Sequence, residues 1–340
     1  DKKYKFAGRI ARLMFPEEDN PKKMYRHFLA LARSNIGIVE RQMSSGQWSE
    51  ISFGKIPSRA HRTYRNAFKK HEEERYGQYL TAVREGKDKI NTTGTQPHEL
   101  VHQYLSVYQA RRNVDVDDTV EAQWKEMVRR LKDSGKLKQS LSVVDVSGSM
   151  SGQPMEVAVA LGLVTAELNQ GCFRDRCITF SSTPRWEIIR GKTLRDKVQN
   201  LSQADWGMST NLEAVLDLIL GGAIKAKCSQ EDLPSTLFIF SDMQFDCACR
   251  NTNTDTLYRI MRRKYLKHNY KMPNVVFWNL RASAFGAQCP VTMDEAGTAL
   301  VSGFSTEILK IFLNGEQILP ISILRKAIES YSAEVEESEI

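Results

Sequence analysis

Nowhere in the 340 residues does an apolar run approach the roughly 20 positions that a membrane-crossing helix needs, and no signal-peptide pattern opens the chain. The sequence is therefore read as soluble, with no membrane span. Cysteine is absent from the first 140 residues. The six that follow, at 172, 177, 228, 247, 249 and 289, match neither a zinc ribbon nor a small disulfide scaffold. The close pair Cys247 and Cys249 lacks the second pair or neighbouring histidine that would complete four ligands to a soft metal. Reduced thiols in an intracellular compartment, cytoplasmic or nuclear, are expected. Two catalytic signatures are missing as well. There is no Gly-rich phosphate loop ending in lysine. The window Gly148 to Gly152, where a hydrolase elbow would carry a central serine, has Met150 instead.

What is present divides the chain in two. Residues 1–140 hold 28 Lys+Arg against 18 Asp+Glu, a balance of +10, whereas residues 141–340 hold 20 against 23, a balance of −3. With 41% hydrophobic and 26% charged residues, the composition is that of a globular protein with material for two cores. The chain opens at Asp1 in a basic helical pattern, Lys2, Lys3, Lys5, Arg9 and Arg12, as a piece of a longer protein would. Helical periodicity runs through the first part. Phe28, Ala32, Ile36, Val39 and Met43 form one stripe; Ala60, Tyr64, Phe68, Tyr76, Leu80 and Val83 indicate another long helix or two between Ser58 and Glu85. Val101, Tyr104, Leu105 and Tyr108 form a third, and Val120, Trp124, Met127 and Leu131 a further one ending at Gly135. Four or five amphipathic helices packed as an antiparallel array are predicted, without a fixed repeat period. His27, His61, His71, His98 and His102 are expected to be solvated or packed imidazoles.

On the second helical segment Arg62, Arg65 and Lys69 share one face, with Arg59 and Lys70 near and Tyr64 and Phe68 on an adjoining face. Basic residues beside aromatics can hold phosphates and stack bases, which makes this face a candidate contact for structured RNA. A solvated helix face with ion pairs to Glu72, Glu73 and Glu74 would have the same sequence.

After a short polar joint, Lys132 to Ser140, strands and helices alternate. Strands are predicted at Leu141–Val146, Arg176–Ser181, Thr236–Ser241, Asn274–Leu280 and around Leu300, with a short edge strand at Arg185–Ile189. Helices are predicted at Pro154–Gln170, Thr193–Leu201, Asn211–Lys225, Thr254–His268 and Ser305–Leu313. This is an α/β pattern with a mostly parallel sheet. Asp145-Val146-Ser147-Gly148-Ser149-Met150 follows the first of these strands, at the edge where open α/β sheets place their sites. In an extended loop residues two apart point the same way, so Asp145, Ser147 and Ser149 can present three oxygens to one point. Such hard ligands suit Mg²⁺. Ser209-Thr210-Asn211 puts a hydroxyl at the start of a later helix, and Thr236 to Asp242 is another buried strand ending in a carboxylate.

These residues resemble the von Willebrand factor A domain, a Rossmann-like fold whose metal-ion-dependent adhesion site is Asp-x-Ser-x-Ser, then a threonine, then an aspartate ending a later strand. The resemblance implies that Ser147, Ser149 and Thr210 ligate Mg²⁺ (or Mn²⁺ or Ca²⁺) through their hydroxyls, while Asp145 and Asp242 hold it directly or through water. The implied organisation is a basic all-α helical domain at 1–139, an A-type domain at 140–316, and a C-terminal helix and acidic tail at 317–340. The whole chain also resembles a family of uncharacterised plant, fungal and giant-virus proteins carrying a domain of unknown function. Tyr25-Arg26-His27-Phe28-Leu29, Ile38-Val39-Glu40, Met43 through Ile51, Ile56-Pro57-Ser58-Arg59-Ala60, Ala67-Phe68, Arg75-Tyr76 and Ser241 through Asp246 carry that likeness. A helical region followed by an A domain is in architecture similar to the Ro autoantigen family, whose members bind small structured RNAs.

Three functions stay open on this reading. In the first, a non-enzymatic interaction module holds a metal whose coordination is completed by an Asp or Glu carboxylate of a protein partner. A second is an RNA-binding ribonucleoprotein component that uses the basic helices. In the third, a scaffold subunit, the metal is purely structural. Enzymatic activity is not expected, because Ser147 stands where a phosphoryl-transfer aspartate would need its second carboxylate, and no base is poised over a substrate pocket.

Overall fold

The computed structural model describes residues 6–109, 115–135, 137–180, 183–203, 211–242, 257–281, 297–304, 306–310, 312 and 313. The chain forms two compact units, Asp1–Asn91 and Thr92–Ile340.

The first unit is helical, with α1 (Phe6–Met14), α2 (Pro21–Asn35), α3 (Val39–Ser44), α4 (Ser58–His71) and α5 (Glu73–Arg84). Asn20 caps α2 by accepting from the N–H of Lys23 at 3.1 Å, with Pro21 in the first turn. The stripe from Phe28 to Met43 does not form one helix. Gly37, at φ +62°, turns the chain between α2 and α3, and Phe28 and Ile36 face solvent. The segment from Ser58 to Glu85 is two helices, separated at Glu72, whose backbone leaves the helical region at φ −140° and ψ 42°. Its apolar stripe does enter a core. Phe53, Phe68 and Tyr76 are buried around His61, with ring centroids 4.9–5.6 Å apart among the three. Arg75 fixes the loop before α4: its guanidinium donates to the carbonyls of Ile51 at 2.8 Å and Trp48 at 2.7 Å, and lies 4.4 Å from the Phe53 ring centre.

The second unit begins with α6 (Pro97–Gln109) and α7 (Asp118–Ser134). Then follow β1 (Leu137–Lys138), β2 (Ser140–Val144), α8 (Gln153–Leu168), β3 (Asn169–Gln170), β4 (Arg176–Thr179), β5 (Arg185–Ile188), α9 (Leu194–Ser202) and α10 (Leu212–Ala226). The last elements are β6 (Thr236–Ser241), α11 (Leu257–Lys267), β7 (Asn274–Asn279), β8 (Thr298–Ser302) and α12 (Thr306–Lys310). Among the described residues the main sheet has six strands in the order β5-β4-β2-β6-β7-β8. All neighbours are parallel except the edge strand β5, which runs against β4. The central strands are largely apolar because both of their faces are covered. Val144, Phe238, Phe240 and Trp278 face a core shared with α6, α7, α8 and α9, whereas Leu141, Val143, Ile239 and Phe277 face α10 and α11. The mixed α/β architecture expected from the alternation is therefore present, preceded by the helical region.

Helices α6 and α7 bury their apolar stripes against α8 and α9. The contact is also polar. Glu121 on α7, nearly fully buried, accepts from the N–H groups of Leu194 at 2.7 Å and Arg195 at 3.1 Å, so it caps the first turn of α9 from outside that helix. Trp124 Nε1 and Lys197 Nζ both donate to Glu167 Oε1, at 2.9 and 2.7 Å.

Helix α8 approaches the sheet closely at Gly162, where an added Cβ would stand 2.5 Å from Val144 Cγ2. Because Val144 ends β2 immediately before Asp145, this contact also sets the position of the loop that follows. Gly162→Ala is expected to lower stability by about 1–3 kcal/mol by overpacking. A urea-denaturation midpoint equal to that of the parent would count against the close approach.

Candidate metal centre

Two neighbouring strands deliver carboxylates to the same edge of the sheet. In the parallel pairing of β2 with β6, Val144 stands opposite Phe240, and the Asp145 N–H extends the ladder to the Phe240 carbonyl at 3.0 Å. Asp145 thus leaves β2 beside Ser241 and Asp242. Both aspartates are fully buried. Burial is the main reason the Asp145 pKa is raised, and the Asp242 charge adds to the rise. Acting against it are the Ser241 hydroxyl, which donates to Asp145 Oδ2 at 2.6 Å, and the Ser147 N–H, which donates to Oδ1 at 3.0 Å.

The loop beyond Asp145 is held by its own backbone. Gly148–Met150 form a single 3-10 turn, closed by the Met150 N–H to the Ser147 carbonyl at 3.0 Å. This turn brings Ser147 Oγ and Ser149 Oγ to 3.1 Å from each other. In an octahedral Mg²⁺ site with bonds of about 2.1 Å, adjacent ligand atoms lie about 3.0 Å apart, so the hydroxyl pair has the spacing of two neighbouring ligands. Two buried carboxylates near paired hydroxyls also have the charge a dication would balance. The donor set therefore fits Mg²⁺, with Asp145, Ser147, Ser149 and Asp242 as the residues that would hold it.

Of the five residues expected at this centre, these four come to one edge of the sheet, and Thr210 lies outside the described residues. Asn211, next to it, caps α10 by accepting from the Ala214 N–H at 2.9 Å. Asp246, Cys247, Cys249 and Cys289 also fall outside. Two residues at the centre were not anticipated. Ser241 is the hydroxyl that holds Asp145. Arg281, just past the end of β7, donates from Nη1 to the Ser149 carbonyl and places the same nitrogen 3.9 Å from Asp242 Oδ2. Its signal in the sequence is positional only: it follows the next strand of a parallel sheet, at the edge where such sheets gather their sites.

On α4, Arg59, Lys69 and Lys70 are exposed, and Arg62 and Arg65 are half-buried, with Arg65 donating to the Arg62 carbonyl. The aromatic neighbours are not free to stack on bases. Phe68 is in the core, and Tyr64 donates to Glu40 Oε1 at 3.1 Å.

His98-Glu99-Leu100-Val101-His102 on α6 has the H-E-x-x-H spacing of zinc-binding helices. Both imidazoles face α8. His98 Nε2 lies 3.3 Å from Gln153 Nε2, and His102 Nδ1 lies 2.6 Å from Glu156 Oε1. Among the described residues no three His, Cys, Asp or Glu side chains gather as a ligand group. The pair joins two helices.

Fold and centre together define an α/β domain with two buried carboxylates and a pair of hydroxyls at the carboxyl edge of its parallel sheet. Residues 139–338 match a domain of unknown function, DUF7788, and residues 16–137 match a second, DUF2828. The chain belongs to the DUF7788 family. It is 40% identical over 323 residues to the uncharacterized protein L728 of Acanthamoeba polyphaga mimivirus, across 91% of this chain and 55% of that protein. The chain thus spans about half the length of the curated relative it matches. Among solved structures it is similar to the Deinococcus radiodurans RO (RSR) protein, with a TM-score of 0.39 and 16% identity over 68% of this chain and 44% of that one.

Proposed function

We propose that the chain is a metal-dependent protein-interaction module of von Willebrand A type and not an enzyme. Mg²⁺, or Mn²⁺ or Ca²⁺ in its place, is held by Asp145, Ser147, Ser149, Thr210 and Asp242, and an Asp or Glu side chain of a protein partner completes its coordination. The observation that carries this reading is the pair of fully buried aspartates at the ends of adjacent parallel strands, beside two hydroxyls 3.1 Å apart. The partner's carboxylate would exchange hydration for a metal bond, an exchange that a chelator reverses. The setting in this reading is intracellular, cytoplasmic or nuclear, on the pattern of cysteines in the sequence. Among the described residues no helix is long and apolar enough to cross a membrane.

The test is capture of binding partners with and without EDTA, by the parent and by Asp145→Ala. Capture lost on both treatments supports the reading, and capture unaffected by either rejects it. A purely structural metal would give a different result: chelation would lower the melting temperature and leave capture in place at temperatures where the protein stays folded.

A second reading, RNA binding, is favoured by the exposed Arg59, Lys69 and Lys70 on α4 in the basic part of the chain. Phosphate contacts respond to salt, with log K falling in proportion to log salt, and a metal-bridged carboxylate responds to chelator. If α4 holds a structured RNA, replacing Arg59, Lys69 and Lys70 by alanine should reduce the salt slope by about 2 to 3 and weaken binding similarly for all RNA sequences. Filter binding at several salt concentrations measures both quantities, and an unchanged slope excludes this face.

A further inference from the structure

We propose that Arg281 is the resident cation of the metal site, competing with a bound dication for the same carboxylates and thereby setting how tightly the ion is held. This inference rests on the metal reading of Asp145 and Asp242. Four observations carry it. The root of the residue is fixed, because the Arg281 N–H donates to Asn279 Oδ1 at 2.9 Å and the Leu280 N–H donates to the Ser241 carbonyl at 2.9 Å. From this anchor the side chain reaches back over the site, where Nη1 donates to the Ser149 carbonyl. The same nitrogen is 3.9 Å from Asp242 Oδ2, a carboxylate with no exposure. Finally, 43% of the arginine side chain is exposed, so it has solvent to move into.

Charge gives this arrangement its consequence. The guanidinium is a cation, so one positive charge stands beside Asp242. A cation entering among Asp145, Ser147, Ser149 and Asp242 meets that charge at short range, where little water screens it. The repulsion grows with the charge of the incoming ion just as the attraction of the carboxylates does, so a dication meets it in full. Arg281 therefore weakens metal binding and raises the concentration of divalent ion needed to fill the site.

The sign of the effect separates this role from a structural one. Were Arg281 only a brace for the Ser149 loop, its loss would loosen the hydroxyl pair and weaken the metal. As a competing cation, its loss strengthens the metal. The probe is Mn²⁺ alone, followed by electron paramagnetic resonance of the free ion, on the full chain as parent, Arg281→Gln and Arg281→Lys. Expected is a Kd about tenfold or more lower for Arg281→Gln, with Arg281→Lys near the parent. The melting temperature of the metal-free proteins supplies a second measurement: Arg281→Gln should melt lower without metal and gain more on Mn²⁺ addition. Equal or weaker Mn²⁺ binding by a folded Arg281→Gln overturns the inference while leaving the metal reading intact. Absence of Mn²⁺ binding by both parent and variant overturns the metal reading, and this inference with it.

Discussion

Asp145→Asn is expected to weaken metal binding by about a hundredfold or more while making the metal-free protein more stable. The two effects have one cause. Asp145 is fully buried, and burial together with the Asp242 carboxylate raises its pKa, so its ionised form is unfavourable until a cation arrives. An acid whose folded pKa lies above its unfolded one contributes stability that is fully present below the unfolded pKa and lost as pH rises through the folded pKa. At neutral pH the metal-free parent carries that loss, and asparagine does not. The amide keeps an oxygen to accept from the Ser147 N–H, and the Ser241 hydroxyl can turn to accept from its nitrogen. Removing the repulsion should stabilise the metal-free protein by about 1–3 kcal/mol. Removing a charged ligand should weaken Mg²⁺ binding by about a hundredfold or more. Calorimetric titration with Mg²⁺ and urea denaturation in EDTA measure the two halves independently. A variant that is less stable without metal and still binds Mg²⁺ would show that the carboxylate is an ordinary hydrogen-bonding group of the loop. The parent should also bind Mg²⁺ more weakly in acid, because the site must release protons to accept the ion.

How much of this could be seen in the sequence differs from one part of the chain to another. The strands β2 and β6 were legible, since a parallel strand covered on both faces must be apolar throughout, and Leu141 to Val144 and Thr236 to Ser241 are nearly so. Asp145 and Asp242 followed as the first carboxylates past two such strands. Their adjacency needed the pairing of β2 with β6, which nothing local specifies, and the resemblance to a known fold supplied it. Arg281 follows a strand with no motif around it, and only the pairing of β7 with β6 brings it to Asp242. Helices α6 and α7 carry apolar stripes that do not say which partner they bury against. That partner is α8, an almost wholly buried helix with little amphipathic character of its own. The break at Gly37 was missed for a related reason. Spacing by three and four continues through it, and the positive φ that ends α2 is a property of one glycine. The His98 and His102 spacing is the opposite case, a clear pattern whose imidazoles turn toward Gln153 and Glu156 on α8.

The helical unit should lose stability in mild acid through a single residue, His61. This imidazole is buried among Phe68, Tyr76 and Tyr79, and its Nε2 pairs with the Tyr76 hydroxyl at 3.0 Å. Burial lowers its pKa from 6.5 to about 4. The sign follows from proton counting. Between about pH 6.5 and pH 4 the unfolded chain takes up a proton that the folded unit refuses, so stability is complete above 6.5 and falls as pH drops toward 4. The fall attributable to His61 is about 3 kcal/mol across that window. His61→Phe keeps an aromatic ring in the cluster and removes the titration, at a cost of about 1 kcal/mol for the lost Tyr76 partner. The variant should therefore be less stable than the parent at pH 7 and more stable near pH 4.5. Hydrogen-exchange protection of peptides from Ser58 to Arg84, corrected for the intrinsic rate at each pH, follows the unit within the full chain. Curves for parent and variant that run parallel from pH 7 to pH 4.5 would show that His61 does not carry the acid sensitivity.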